Sequence, residues 1–310
     1  FLEDQRWNTF TSFSAGWNLA KEAFWEKLGK FGQNVSEFKF KASYGELGNQ
    51  NTDNWYPFYQ KMKLGTGNGR WLINNQRPNS ASAPDLVSAF LTWEKVSSWN
   101  AGFDLAALQS RLNLSFELFS RTTYNMVGPA PQLPSTLGTN PPRINNTDMV
   151  SNGFELQLSW RDRIGEDFTY GITANLTDSR QKVTKYPNDS KNLSDWYSGK
   201  YQGEIWGYET EGIAKTQAEM DEWLKTHDQS ALPKGSNWGA GDIMYRDLNG
   251  DGKINTGKNT VDDPGDRRII GNSTPRYNYG VTIDLKYRNV DFSAFLQGTA
   301  KRDLDVRGVY

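Results

Sequence analysis

Hydrophobic and polar residues alternate in eight separate stretches of the chain. Between Trp7 and Leu19, the residues Trp7, Thr9, Thr11, Phe13, Ala15 and Trp17 fall on one face. Phe38, Phe40, Ala42 and Tyr44 stand against Lys39, Lys41, Ser43 and Gly45. Trp99, Ala101, Phe103 and Leu105 oppose Ser98, Asn100, Gly102 and Asp104, and Leu112, Leu114, Phe116 and Leu118 oppose Asn113, Ser115, Glu117 and Phe119. The same period recurs over 154–160, 168–176, 277–286 and 290–299. A period of two sends successive side chains to opposite sides of an extended backbone, so each stretch predicts a strand with one apolar and one polar face. Two segments break the pattern. Residues 20–31 have helical character and predict a turn or short helix. Residues 216–226 predict a helix with Thr216 as N-cap and Glu219 where a capping box puts it.

The connections between these strands alternate in length. Those near Leu108, Gly165 and Arg288 are short, and the one over 21–36 is intermediate. Those over 48–90, 125–150 and 178–275 are long. Long loops on one side and tight turns on the other is the rule of outer-membrane barrels. A soluble β-sandwich would share the periodicity, with its apolar face turned to a core; the loop asymmetry favours the barrel. The predicted fold is therefore all-β: an antiparallel transmembrane β-barrel portion of about eight strands occupying 1–310, with 178–275 as a folded excursion between strands.

Composition adjusts this picture in three ways. Charge is balanced, at 35 Lys+Arg against 36 Asp+Glu, which gives no footprint for nucleic acid and no polybasic membrane patch. There is no cysteine, so disulfides and thiolate metal sites are excluded. Aromatics are abundant (12 Trp, 14 Tyr, 16 Phe) although mean hydropathy is -0.75 and no apolar run is long enough for a spanning helix. A transmembrane barrel combines these features, because only every second strand residue meets lipid. The strand tryptophans Trp7, Trp17, Trp93, Trp99 and Trp160 then read as interfacial girdle residues.

Candidate chemistry is sparse. Asp247-Leu-Asn-Gly-Asp-Gly-Lys-Ile places side-chain oxygens at relative positions 1, 3 and 5 (Asp247, Asn249, Asp251), a glycine at position 6 and the Lys253 carbonyl at position 7. That is the spacing of a calcium loop, in which alternate residues turn hard oxygen donors to one side. Strict position 12 is Lys258, which cannot ligate a cation. The competing reading is a surface turn whose Asn and Asp side chains cap their own backbone. The single histidine, His227, sits at a predicted helix end beside Asp228, and with no cysteine this argues against Ser-His-Asp, Cys-His and histidine-rich metal catalysis. No organic cofactor is expected and no enzyme activity.

The loop aromatics carry more. Trp55, Tyr56 and Trp71 lie in the first long loop, and Trp196, Tyr197, Tyr201, Trp206, Tyr208 and Trp238 in the third. Such rings stack on the C–H faces of sugars, and they also pack loops together or against a partner protein. Both uses stay open from sequence.

Five collinear stretches resemble one family. They are Ser12-Phe-Ser-Ala-Gly-Trp, Phe40-Lys-Ala-Ser-Tyr-Gly-Glu-Leu-Gly-Asn-Gln, Trp93-Glu-Lys-Val-Ser-Ser-Trp-Asn-Ala-Gly-Phe-Asp, Asn152-Gly-Phe-Glu-Leu, and Gly241-Asp-Ile-Met-Tyr-Arg-Asp-Leu-Asn-Gly-Asp-Gly-Lys-Ile with Arg268-Ile-Ile-Gly-Asn. The chain is similar in these to the SusC/RagA family of TonB-linked outer-membrane transporters. The resemblance implies a 22-stranded barrel closed by a plug, of which this chain is an internal portion without the plug. It implies location in the bacterial outer membrane with loops extracellular, and import of oligosaccharides or peptides. It implies a SusD-like surface lipoprotein as lid, the TonB-ExbB-ExbD complex as energy source acting through the plug, and outer-membrane lipid around the wall. It also matches Asp266 to the family's late aspartate, with Asp262 and Asp263 as competitors; the structural cation would be Ca2+. The alternatives are a soluble all-β glycan-binding module with structural calcium and a glycan hydrolase.

Overall fold

The computed structural model describes residues 7–50, 59–66, 71–88, 90–129, 136 and 141–304. Its strands are β1 (Ser12–Asn18), β2 (Val35–Asn49), β3 (Leu64–Gly65), β4 (Ser80–Ala81), β5 (Glu94–Ala107), β6 (Leu112–Gly128), β7 (Ile144–Ile164), β8 (Phe168–Lys185), β9 (Glu204–Tyr208), β10 (Thr210–Ile213), β11 (Ile243–Tyr245), β12 (Arg267–Asn272), β13 (Arg276–Tyr287) and β14 (Val290–Lys301). The helices are α1 (Lys30–Asn34) and α2 (Gln217–Leu224), with 3₁₀ turns at Leu19–Lys21 and Trp25–Leu28. One eight-stranded sheet runs in the order β1-β2-β5-β6-β7-β8-β13-β14, which is chain order once the loop strands are set aside. All eight strands expected from alternation are present. Contacts divide the chain into two compact units, 1–153 with 184–187, and 154–183 with 188–310, the boundary falling inside β7.

In the first unit the register aligns residues of like character. Phe13, Tyr44 and Trp99 stand side by side, as do Ala15, Ala42, Ala101 and Leu118, and then Trp17, Phe40, Phe103 and Phe116. Rows of rings at both ends thus bracket a row of small residues. Phe38 lies between the rings of Phe40 (5.0 Å) and Phe103 (5.8 Å). Each aromatic cross-strand pair contributes roughly 0.2–1 kcal/mol relative to alanines. The opposite face is polar: Lys41 sits 3.1 Å from Asp104 and 3.2 Å from Glu117. Below the sheet, Trp25, Val35 and Ala107 form a small buried cluster sealed by Leu19, Ala20, Phe38 and Leu112. It closes the short-turn end of β2 and β5. Residues 20–31, expected as a turn or short helix, form 3₁₀ turns and the start of α1, with Gly29 at φ 60 between the second turn and the helix.

In the second unit, Leu176, Tyr279 and Gly298 align, then Ala174, Val281 and Leu296, Ile172, Ile283 and Ala294, and Tyr170, Leu285 and Phe292. These apolar side chains are widely exposed, Phe292 and Leu296 among them. The intervening rows carry Thr177, Asn278 and Thr299, and Asn175, Gly280 and Gln297. The 186–275 excursion leaves from β8 and returns at β13. At its neck Arg276 pairs with Asp178 through both Nε and Nη2, and both side chains are nearly buried. Beside them the Gln202 carbonyl accepts from Thr274 Oγ1 (2.9 Å) and Asn272 Nδ2 (3.0 Å). Gly203, at φ 81, has no room for a Cβ, which would fall 2.5 Å from Thr274 Oγ1.

The strands run further than alternation indicates. β2 reaches Asn49, β6 reaches Gly128, β7 begins at Ile144 and β8 reaches Lys185. The second long connection therefore shrinks from 125–150 to 129–143, and the third begins at 186. Backbone pairing persists where both faces have turned polar, so the ladder outlasts the pattern that reveals it. At the other end, β1 starts at Ser12, and Trp7 is exposed outside it.

Replacing Trp25 by alanine is expected to destabilise the protein by about 3–5 kcal/mol, the range for a large buried aromatic. A loss of unfolding free energy, measured by denaturant titration, of less than a fifth of that amount would count against the cluster as a fastening of the short-turn end.

Candidate functional site

The chemistry-bearing residues gather in the 186–275 excursion. Its own core is built from Ala214, Met220 and Ile254, all fully buried, around the equally buried Gln229. The Gln229 amide accepts from the Tyr245 N–H (2.7 Å) and donates to the Ile243 carbonyl (3.2 Å), so a polar hub fixes β11. Helix α2 forms where predicted: the Thr216 hydroxyl accepts from the Glu219 N–H (3.2 Å). Glu219 reaches back to the N–H of Lys215 (2.7 Å), one residue before the N-cap itself.

The Asp-rich loop grows out of β11 and ends at β12. Asp247 accepts backbone N–H groups from Gly250 (2.6 Å), Gly252 (2.7 Å) and Asn249 (3.2 Å). Burial alone would push its carboxyl pKa up, but these donors outweigh it and hold the pKa below the ordinary carboxylate value. Gly250 and Gly252 both have positive φ, 78 and 75, which lets the chain turn tightly enough for this. Asn249 and Asp251 bond each other's amide and backbone groups (2.9 and 3.2 Å), and Asp251 accepts from the Lys253 N–H (2.7 Å). The Lys253 carbonyl accepts from Asn255 Nδ2 (3.2 Å).

Three acidic residues compete for the loop's closing position, and the structure separates them. Asp262 pairs with Lys191 at 2.7 Å, and Asp263 faces Lys258 at 4.0 Å. Asp266 alone enters the loop. It is fully buried, accepts the N–H of Leu248 (3.0 Å) and of Asn255 (2.8 Å), and lies within interaction range of Asp247. Its carboxylate thus ties the first residues of the loop to the middle. Among the described residues no three His, Cys, Asp or Glu side chains converge as a metal-binding group. The oxygens of Asp247, Asn249, Asp251 and Asp266, with the Lys253 carbonyl, remain a hard donor set of the kind calcium takes.

The aromatic candidates separate by burial. Trp55 and Tyr56 lie outside the described residues. Trp71 is exposed in the first unit, and Trp196 is partly exposed in the second. Tyr197 is buried and donates its hydroxyl to Glu204 (2.6 Å); burial and that carboxylate push its pKa well up. It packs the excursion and offers no free face. Trp206 is half-buried on β9, opposite Ile269. Tyr208 and Trp238 do come together, in a pocket of about 480 Å³ with Leu232, Ile243 and Tyr245. The Tyr245 ring lies 5.4 Å from Tyr208 and 6.0 Å from Trp238, edge-on to the latter. The Tyr208 hydroxyl oxygen is buried there without a partner. In the sequence Tyr245 reads as the lead-in to the Asp-rich motif and not as a loop aromatic. His227 stacks on Trp223 with ring centroids 3.7 Å apart and belongs to no group of three metal-ligating side chains among the described residues.

No protein-family model matches the chain. Its sequence is 26% identical over 312 residues to TonB-dependent receptor P3 of Formosa agariphila, covering 96% of this chain and 29% of that protein. It is 24% identical over 317 residues to TonB-dependent receptor SusC of Bacteroides thetaiotaomicron, covering 96% and 28%. Among solved structures, the RagAB peptide transporter matches with a TM-score of 0.64 at 19% identity, over 96% of this chain and 29% of that one. The fold is thus the antiparallel all-β fold of TonB-dependent β-barrel transporters, and the resemblance to SusC-type receptors extends along almost the whole chain. The chain spans less than a third of the length of the curated relatives it matches. They are named as receptors and transporters.

The loop chemistry sets a pH dependence. A carboxylate with a depressed folded-state pKa stabilises the fold above its unfolded value, near 3.9, and loses that contribution as pH falls through the folded one. Asp247 is depressed by backbone donors, and Asp242 by Lys234 and then the Gly239 N–H. Limited proteolysis should therefore leave the excursion intact at pH 5–7 and open it below about pH 4. Equal cleavage at pH 3 and pH 6 would refute this.

Proposed function

We propose that this chain supplies wall strands and external loops of a TonB-dependent importer in the bacterial outer membrane, working with a SusD-like surface lipoprotein and driven by TonB-ExbB-ExbD through a plug. The observation that carries the reading is the two-faced sheet. Its exposed apolar side fits lipid, and its polar side fits a wet lumen. On β13 the apolar band runs from Tyr279 to Tyr287, nine residues counting both ends, with aromatic residues at each limit. A membrane-crossing strand needs about 9–11 residues, with aromatic girdles at its two interfaces. The relatives' names support the same assignment. The cargo is an oligosaccharide or a peptide, moved without bond making or breaking.

Fractionation of native membranes tests this. The protein should remain in the outer-membrane fraction, require detergent for extraction and bring a lipoprotein with it. A protein recovered in the soluble fraction without detergent would replace the importer with the calcium-stabilised glycan-binding module.

A structural Ca2+ in the 247–266 loop is part of the proposal, held by Asp247, Asn249, Asp251, Asp266 and the Lys253 carbonyl. Protein dialysed against chelator should regain resistance to cleavage between 247 and 266 on adding calcium, and Asp266→Asn should abolish the gain. No change with calcium in the unaltered protein would leave the loop as a self-capped turn.

A further inference from the structure

The polar side of the second unit's sheet carries one residue that does not belong to the pattern. On β14, Ser293, Gln297 and Thr299 share a parity that faces Asp284, Gly280 and Asn278 of β13. Phe295 stands in the same row and is 62% exposed. Its ring lies over Gly280: a Cβ built there would fall 3.3 Å from Phe295 Cε2 and 2.9 Å from Asn175 Oδ1. A glycine floor is what lets a ring and an amide converge on one spot. The depression has a volume of about 500 Å³ and is lined by Asn175, Thr177, Asn278, Gln297 and Thr299 around Phe295, with no charged residue. Thr299 donates to Asn278 Oδ1 (2.8 Å), while the amides of Asn175 and Gln297 and the hydroxyl of Thr177 have no hydrogen-bond partner among the described residues.

We propose that this depression is a binding subsite for a neutral sugar ring. Phe295 offers a flat apolar face to the C–H side of the ring. Asn175 and Gln297 each offer a donor and an acceptor in one plane, suited to adjacent hydroxyls. The absence of charge disfavours sulfated or uronic sugars and charged peptides alike, because each would bring an ion without a counter-ion. A neutral peptide would need a strand edge or an apolar slot, and this depression lies on the face of the mutually paired β8, β13 and β14 and provides neither. The proposal rests on the importer reading and selects glycan as the cargo class.

The test uses the full-length protein in its native complex, extracted in detergent and probed on an array of neutral and acidic oligosaccharides. Neutral glycans should bind. Phe295→Ala should weaken that binding about tenfold, the equivalent of one lost stacking contact, and Phe295→Trp should retain it. Asn175→Ala and Gln297→Ala should each weaken it as well. Unaltered heat-modified migration on gels would confirm that the exposed positions do not affect folding. Binding to acidic glycans only, to none, or unchanged in Phe295→Ala overturns the subsite. The import reading is scored separately, by outer-membrane fractionation of the same protein and by uptake of a labelled peptide pool. A membrane-resident protein that takes up peptides and binds no glycan keeps the importer and removes the sugar site.

Discussion

Everything in this fold depends on parity. Side chains alternate with a period of two, so a slip of one residue between any pair of strands would carry a whole apolar row to the polar side. The register holds against this by aligning complementary rows on both faces at once. Phe13, Tyr44 and Trp99 meet on one side while Lys41 meets Asp104 and Glu117 on the other. A slipped pairing would place a charged network among rings. The same constraint explains why the small row Ala15, Ala42 and Ala101 sits where it does: rings crowd the rows on either side of it.

The excursion obeys a different economy. It is a compact body with its own hydrophobic core, its own buried polar hub in Gln229 and its own tie in Asp266. Its two ends are held together by the Asp178–Arg276 pair, whose nearly buried geometry makes loss of either partner costly, on the order of 3–5 kcal/mol. Within it, the Asp-rich loop links β11, which presents Tyr245, to β12, which pairs with the strand bearing Tyr208. The two tyrosines of the aromatic pocket are therefore set by the segments that Asp247 and Asp266 begin and end.

Much of this was legible in the sequence, for a physical reason. Strands that divide two environments must alternate, and Trp17, Phe40, Phe103 and Phe116 announce themselves. Strand ends were not legible, because Thr122, Asn145 and Gln181 continue a ladder without contrast between faces. The loop motif pointed to Asp247, Asn249 and Asp251, and a resemblance pointed to Asp266. Only the folded loop distinguishes Asp266, which enters it, from Asp262, which pairs with Lys191. Tyr197 reads as a loop aromatic with packing and sugar contact both open, and burial assigns it to packing, since a loop of this length folds on itself. Phe295 was hidden by its neighbours: a ring in an aromatic-rich strand draws no notice until the register shows which face it occupies.

The pairing of β8 with β13 has a consequence for how the chain reaches its native state. Hairpins β5–β6 and β13–β14 join residues a few positions apart, whereas Asp178 and Arg276 are 98 residues apart. Closing so long a loop adds little to the equilibrium cost, since each doubling of length costs only about 0.6 kcal/mol. Its cost is in time, because distant contacts must wait for the chain between them to compact. The β8–β13 pairing therefore depends on compaction of the excursion, whereas the hairpins on either side of it need no such wait.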